Sequence, residues 1–77
     1  MSWNYRVIVG ADGQYGIHEV YYAEDGKTIS SWTESPIAPG GESVKELRSD
    51  LGAMLHSFSK PILKEVNGKL VPAGEKG

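Results

Sequence analysis

His18 and Glu19 are the one place in this chain where an imidazole and a carboxylate stand side by side. Such a pair invites a metal-ligand or acid–base reading. The surrounding Tyr15–Tyr22 stretch alternates like a β-strand, however, and neighbours on a strand point to opposite faces. The pattern therefore predicts a partly buried, hydrogen-bonded His18 packed among Tyr5 and Tyr22. His56 falls on a helix flank near the C-terminal turn, where the helix dipole favours a protonated imidazole. A His18–His56 zinc pair lacks a third ligand. Ser35, Ser43 and Ser57 have no base at a spacing that would activate them. Pro39-Gly40-Gly41-Glu42-Ser43 precedes a helix, whose free amides could hold phosphate. No Lys-Ser or Lys-Thr follows the glycines, and Glu42 would repel an anion. No catalytic, cofactor-binding or metal residue is expected. A small hydrolase or metal-dependent enzyme using His18 or His56 ranks last among the functional readings.

The elements that position these residues must fit into 77 residues, enough for one domain with a thin stability margin. With 39% hydrophobic and 23% charged residues the composition is that of a globular protein. There is no cysteine, so neither disulfides nor thiolate metal sites contribute. Small domains without such staples often gain stability by oligomerising. The net charge is −2. Residues 12–46 hold seven acids against two bases, and residues 47–77 three against five. No cation cluster of the kind that binds phosphate backbones stands out. No apolar run near the start is flanked by bases, and none later is long enough to span a bilayer, so a cytoplasmic location is expected.

Trp3-Asn4-Tyr5-Arg6-Val7-Ile8-Val9 alternates and is rich in aromatic and β-branched residues, which predicts a first strand. Asp12-Gly13 supplies a hairpin turn into Tyr15–Tyr22, and Glu24-Asp25-Gly26-Lys27 a second turn into Thr28–Trp32. Pairing Arg6 with Glu19 across the first two strands would put opposite charges on one open face. Trp3, Tyr5, Val7, His18, Val20 and Tyr22 then point to the core, and Ile8, Ile17 and Tyr21 point outward. Residues 33–41 form a Pro- and Gly-rich loop. Ser43 and Glu46 make a capping box. Beyond it Val44, Leu47, Leu51, Met54, Leu55 and Phe58 recur at helical spacing as one apolar stripe, which Lys60 and Pro61 end. Gly52 weakens that helix by about 1 kcal/mol relative to alanine and marks either a tolerated glycine or close approach of another backbone. Asn67-Gly68 signals a last hairpin, either half of which could add a fourth strand. The expected fold is α+β: a three-stranded antiparallel meander, one amphipathic helix packed on it, and a short C-terminal strand or hairpin. Residues 1–72 form the domain and residues 73–77 a frayed tail.

Met1-Ser2-Trp3-Asn4-Tyr5-Arg6-Val7-Ile8, Tyr15-Gly16-Ile17-His18-Glu19-Val20-Tyr21-Tyr22 and Trp32-Thr33-Glu34-Ser35-Pro36 resemble a family of short bacterial proteins of uncharacterised function. The order of elements is similar to HicB-type antitoxins, in which a β-β-β-α unit ends in a fourth strand. Those proteins carry Pro-Asp-Leu-Pro-Gly-Cys before the helix, where this chain has Pro36-Ile37-Ala38-Pro39-Gly40. The resemblance implies a compact module, and an antitoxin-like role as one alternative function.

The expected function is a non-enzymatic, self-associating protein-binding module. The open sheet face, with Ile8, Ile17, Glu19, Tyr21 and Arg6, is the expected interface for a second copy or a protein partner. The competing reading is a nucleic-acid binder using Arg48, Lys60, Lys64 and Lys69.

Overall fold

The computed structural model describes residues 2–74 and confirms a mixed α+β fold with a five-stranded curled sheet and one helix. The elements run β1 (Ser2–Val9), β2 (Tyr15–Tyr22), β3 (Ile29–Trp32), α1 (Val44–His56), a 3-10 turn (Ser57–Ser59), β4 (Leu63–Val66) and β5 (Lys69–Pro72). Their order in the sheet is β3-β2-β1-β4-β5. The meander is thus three strands of a larger sheet. Both halves of the C-terminal hairpin join it, with β4 lying parallel to β1.

Each tight turn forms where the sequence supplies residues for it. Gly13 adopts φ 83°, and the Asp12 carboxylate accepts the Gln14 amide at 3.0 Å. Asp25 accepts the amides of Lys27 and Thr28 at 2.9 and 2.8 Å, and the Thr28 hydroxyl as well. These bonds, the Thr28 hydroxyl foremost, hold the Asp25 carboxyl down at about 2. Asn67 and Gly68, at φ 53° and 78°, make the β4–β5 turn. The Ala73 amide extends that hairpin by bonding the Ile62 carbonyl at 2.7 Å. Residues 75–77, the rest of the expected tail, lie outside the described residues.

The β1–β2 register corrects the expected faces. Arg6 stands opposite His18 and Tyr5 opposite Glu19, so Arg6 and Glu19 point to opposite sides. The physical cause is the five-residue turn, Gly10–Gln14, whose length fixes the register; one residue of slip exchanges every side chain between faces. Trp3, Tyr5, Val7, Ile17, Glu19 and Tyr21 therefore share one side, and Asn4, Arg6, Ile8, His18, Val20 and Tyr22 the other.

Both sides bury side chains. On the concave side Ile8, Val20 and Leu63 form the core cluster, with Tyr22, Ile29, Trp32 and Leu70 packed against it. The curl of the sheet brings β3 and the β4–β5 hairpin together over β1 and β2. Ile8, expected outside, is part of this core. On the other side Tyr5, Val7, Met54 and Ser57 are buried where α1 crosses β1. Trp3, expected in the core, is 51% exposed, its ring edge-on to Tyr5 at 5.1 Å.

The helix begins as its residues dictate. The Ser43 hydroxyl accepts the Glu46 amide at 3.1 Å, and the Glu46 carboxylate reaches back to the Glu42 amide at 2.9 Å. Gly41 lies so close to this turn that a Cβ there would fall 2.7 Å from the Leu47 nitrogen. At the far end the Ser57 hydroxyl bonds the Met54 carbonyl at 2.5 Å, and Lys60 turns extended ahead of Pro61. Among the described residues no helix is long and apolar enough to cross a membrane.

Candidate functional site

The apolar stripe of α1 does not face the sheet. Val44 is 74% exposed, Leu47 40%, Leu51 46%, Leu55 60% and Phe58, just beyond the helix, 65%, while Met54 is 2% exposed. This overturns the expectation that the stripe seats the helix. The helix docks instead through Asp50, Met54 and Ser57, at four- and three-residue spacing. On a helix advancing about 100° per residue, that line lies about a quarter-turn away from the stripe.

The docking line carries polar contacts as well as Met54. Tyr5 donates its hydroxyl to one Asp50 carboxylate oxygen, and the Gly40 amide donates to the other at 2.9 Å. Chiefly through its bond to Asp50, with burial adding, the Tyr5 phenol is pushed up to about 12. The same bond, helped by the Gly40 amide, lowers the Asp50 carboxyl. On the same line Met54 is buried, while the leucines lie on the neighbouring face.

The stripe continues onto the sheet. Phe58 shares a hollow of about 270 Å³ with Val7, Tyr15 and Ile62. Tyr15 is itself 52% exposed. A wall of leucines on α1 thus meets a floor of β1 and β2 residues at Phe58.

The five residues expected to form an interface divide between the two sides of the sheet. Ile17, Glu19 and Tyr21 lie half-buried on the helix side, and the Tyr21 hydroxyl donates to the Glu19 carboxylate. That bond raises the Tyr21 phenol. Ile8 is buried on the concave side. Arg6 is there too, donating to the Tyr22 hydroxyl at 3.1 Å and the Pro61 carbonyl at 2.9 Å.

His18 is buried, with Nδ1 2.8 Å from the Thr33 carbonyl. A carbonyl only accepts, so Nδ1 is the donor in this bond. Thr33 also accepts the Glu19 amide through its hydroxyl at 3.2 Å. The ring borders a cleft of about 630 Å³ together with Trp32, Glu34, Lys64 and Glu65. His56 borders a separate hollow with Trp3 and Lys60, so the two imidazoles are not brought together. Among the described residues no three His, Cys, Asp or Glu side chains are grouped to hold a metal ion. Nor are the basic residues gathered. Arg48 stands exposed on α1, Lys60 borders the Trp3 hollow, Lys64 the His18 cleft, and Lys69 lies on the β5 edge.

The sequence reading missed Asp50 as the anchor of the helix. Its signal was present: Asp50, Met54 and Ser57 form a second line on α1, mixed rather than wholly apolar. Comparison with family models, curated proteins and solved structures finds no match to this chain.

Proposed function

We propose that this chain is a non-enzymatic protein-binding module that associates with itself through the exposed stripe of α1. The observation that carries this reading is the exposure of Val44, Leu47, Leu51, Leu55 and Phe58 on a helix whose docking uses other residues. Contiguous apolar surface of this kind marks protein contact. The site expected from sequence was the open sheet face; Ile17 and Tyr21 lie on the same side of the sheet as the helix, while Ile8 and Arg6 lie on the other side.

Magnitudes favour a modest assembly. Full burial of a Val, Leu or Phe side chain is worth about 1.5–3 kcal/mol, and about half of that remains to be gained here. Ten such side chains in a pair of copies give roughly 10 kcal/mol, within the range of about 4–15 kcal/mol that association costs. The reading therefore describes a dimer in equilibrium with its monomer. The separation of His18 from Glu19, which lies on the opposite face, is consistent with a non-enzymatic reading of that pair.

Sedimentation velocity over a micromolar concentration series tests the proposal. Wild-type protein should shift from monomer toward dimer, and Leu51→Glu should remain monomeric with unchanged helix content. A wild-type monomer at high micromolar concentration would defeat it.

A further inference from the structure

We propose that the cleft beside His18 binds a small organic ammonium ion, held between Glu34 and Glu65 and against the face of Trp32. The cleft lies on the concave side of the sheet and α1 on the other. Its test is therefore independent of the self-association proposed above.

The register of the strands builds the cleft. Ile8 and His18, both buried, form its floor. Trp32, level with Val20 of β2, forms one wall with Glu34 beyond it. Glu65 and the Asn67-Gly68 turn form the other. At about 630 Å³ the cleft has the size of a small-molecule site, and the mouth of a curled sheet is a common place for one. His18 Nδ1 bonds the Thr33 carbonyl at 2.8 Å and so pins the chain between Trp32 and Glu34. That wall is already formed.

Charge is sorted across the β4–β5 hairpin. Leu63 is buried in the concave core, so alternation turns the Glu65 side chain inward. The Lys64 side chain leaves from the outer face, although the residue borders the cleft. On β5 Leu70, level with Glu65, packs against the same core, and its neighbour Lys69 points outward. Arg6, on the concave side, is committed to the Tyr22 hydroxyl and the Pro61 carbonyl. Among the described residues neither the Glu34 nor the Glu65 carboxylate has a hydrogen-bond or ion-pair partner. Two unpaired carboxylates on opposite walls of a cleft attract a cation.

The lining decides which cation. Among the described residues no three His, Cys, Asp or Glu side chains are grouped, so a metal ion lacks the ligands it needs. An ammonium ion needs fewer. Its N–H groups donate to carboxylates, and its charge is drawn to the half-buried indole of Trp32. Its alkyl part rests on the apolar floor at Ile8. The same group ends a lysine side chain, so a free amine and a lysine of a partner protein share this chemistry.

Nitrogen–proton NMR of the whole chain, titrated with n-butylammonium chloride at constant ionic strength, tests the site. The Trp32 indole and the Glu34, Glu65 and Gly68 amides should shift together and saturate, with a dissociation constant in the millimolar range. The Trp3 indole, which borders a different hollow, should stay unmoved. Glu34→Gln and Glu65→Gln should each weaken binding about two- to fivefold. Both side chains are exposed, so these variants should remain folded. Trp32→Phe keeps an aromatic ring and should weaken binding by about two- to fivefold as well. Acetyl-lysine amide, titrated separately, distinguishes the sources: tighter binding than butylammonium supports a partner's lysine, weaker binding a free amine. Equal shifts with n-butanol, which lacks the charge, would show a mere apolar crevice and overturn the proposal. So would butylammonium shifts that never saturate, or unchanged affinity in the double glutamine variant. Calcium chloride saturating the same resonances at lower concentration would make this a metal site and overturn it too.

Discussion

Tyr5 on β1 donates its hydroxyl to Asp50 on α1, and this bond lies on the same line of the helix as Met54, the side that meets the sheet. Five apolar side chains on the neighbouring face are left exposed.

The Tyr5–Asp50 pair should give stability two pH limbs. Asp50 has a lowered folded value, so its contribution is present above the ordinary carboxylate range and is lost as pH falls through the folded value. Tyr5 has a raised value, so its contribution is full below about 10, the ordinary phenol value, and is lost as pH rises toward about 12. Thermal midpoints measured across pH should fall at both ends. Tyr5→Phe should reduce both limbs, the alkaline one partly surviving because Tyr21, held up by Glu19, keeps its own contribution there. Part of the acid limb should survive in that variant, because Asp25, held at about 2, loses its own contribution there. An alkaline limb identical in wild type and Tyr5→Phe would refute the assignment.

Met54 and Leu55 are neighbours in sequence with opposite roles. Met54 is 2% exposed and Leu55 60%. Met54→Ala should cost about 2–5 kcal/mol in urea unfolding. At concentrations where the chain is monomeric, Leu55→Ala should change stability by only about 0.5 kcal/mol. If the chain self-associates as proposed, Leu55→Ala rather than Met54→Ala should be the variant that weakens association in sedimentation at high concentration. Equal costs for the two in the monomer would mean that the stripe, not Met54, seats the helix.

Much of this was legible before any coordinates. Asp12-Gly13, Asp25-Gly26 and Asn67-Gly68 fixed their turns because few other residues tolerate the backbone angles involved. Ser43 and Pro61 bounded the helix by equally local chemistry. The faces of β1 and β2 were not legible, since they depend on the register set by the Gly10–Gln14 turn, and alternation alone is blind to it. The parallel docking of β4 beside β1 joins residues more than fifty positions apart, Ile8 and Leu63, and no local signal announces it. The candidate site was half legible. The stripe could be read from periodicity, but its exposure depends on how the helix docks on distant elements, through Asp50, Met54 and Ser57, which periodicity does not reveal.

Gly16 is a strand residue whose lack of a side chain admits the loop after β3. A Cβ there would lie 2.7 Å and 2.9 Å from Pro36 side-chain atoms, closer than carbon atoms pack. Beside it the loop is tied to β2, the Thr33 amide bonding the Glu19 carbonyl at 3.0 Å and the Ile37 amide the Ile17 carbonyl at 2.8 Å. Gly16→Ala should displace this loop at a cost of about 1–3 kcal/mol. Hydrogen exchange should show the Thr33 and Ile37 amides losing protection before those of β1. Unchanged protection at both would show that Pro36 yields freely.

His18 offers the sharpest separation of structure from chemistry. Its Nδ1 holds the Thr33 carbonyl, and Thr33 in turn holds the Glu19 amide, so the ring anchors the chain leaving β3 to the middle of β2. Nε2 plays no part in that chain of bonds. His18→Phe keeps the ring volume but leaves the carbonyl without its donor, and should cost about 1–3 kcal/mol. His18→Asn places an amide donor near the position of Nδ1 and nothing near that of Nε2, and should recover most of the loss. Thermal unfolding of the two variants decides the point. If asparagine is as damaging as phenylalanine, the bond to Thr33 is not what holds this strand.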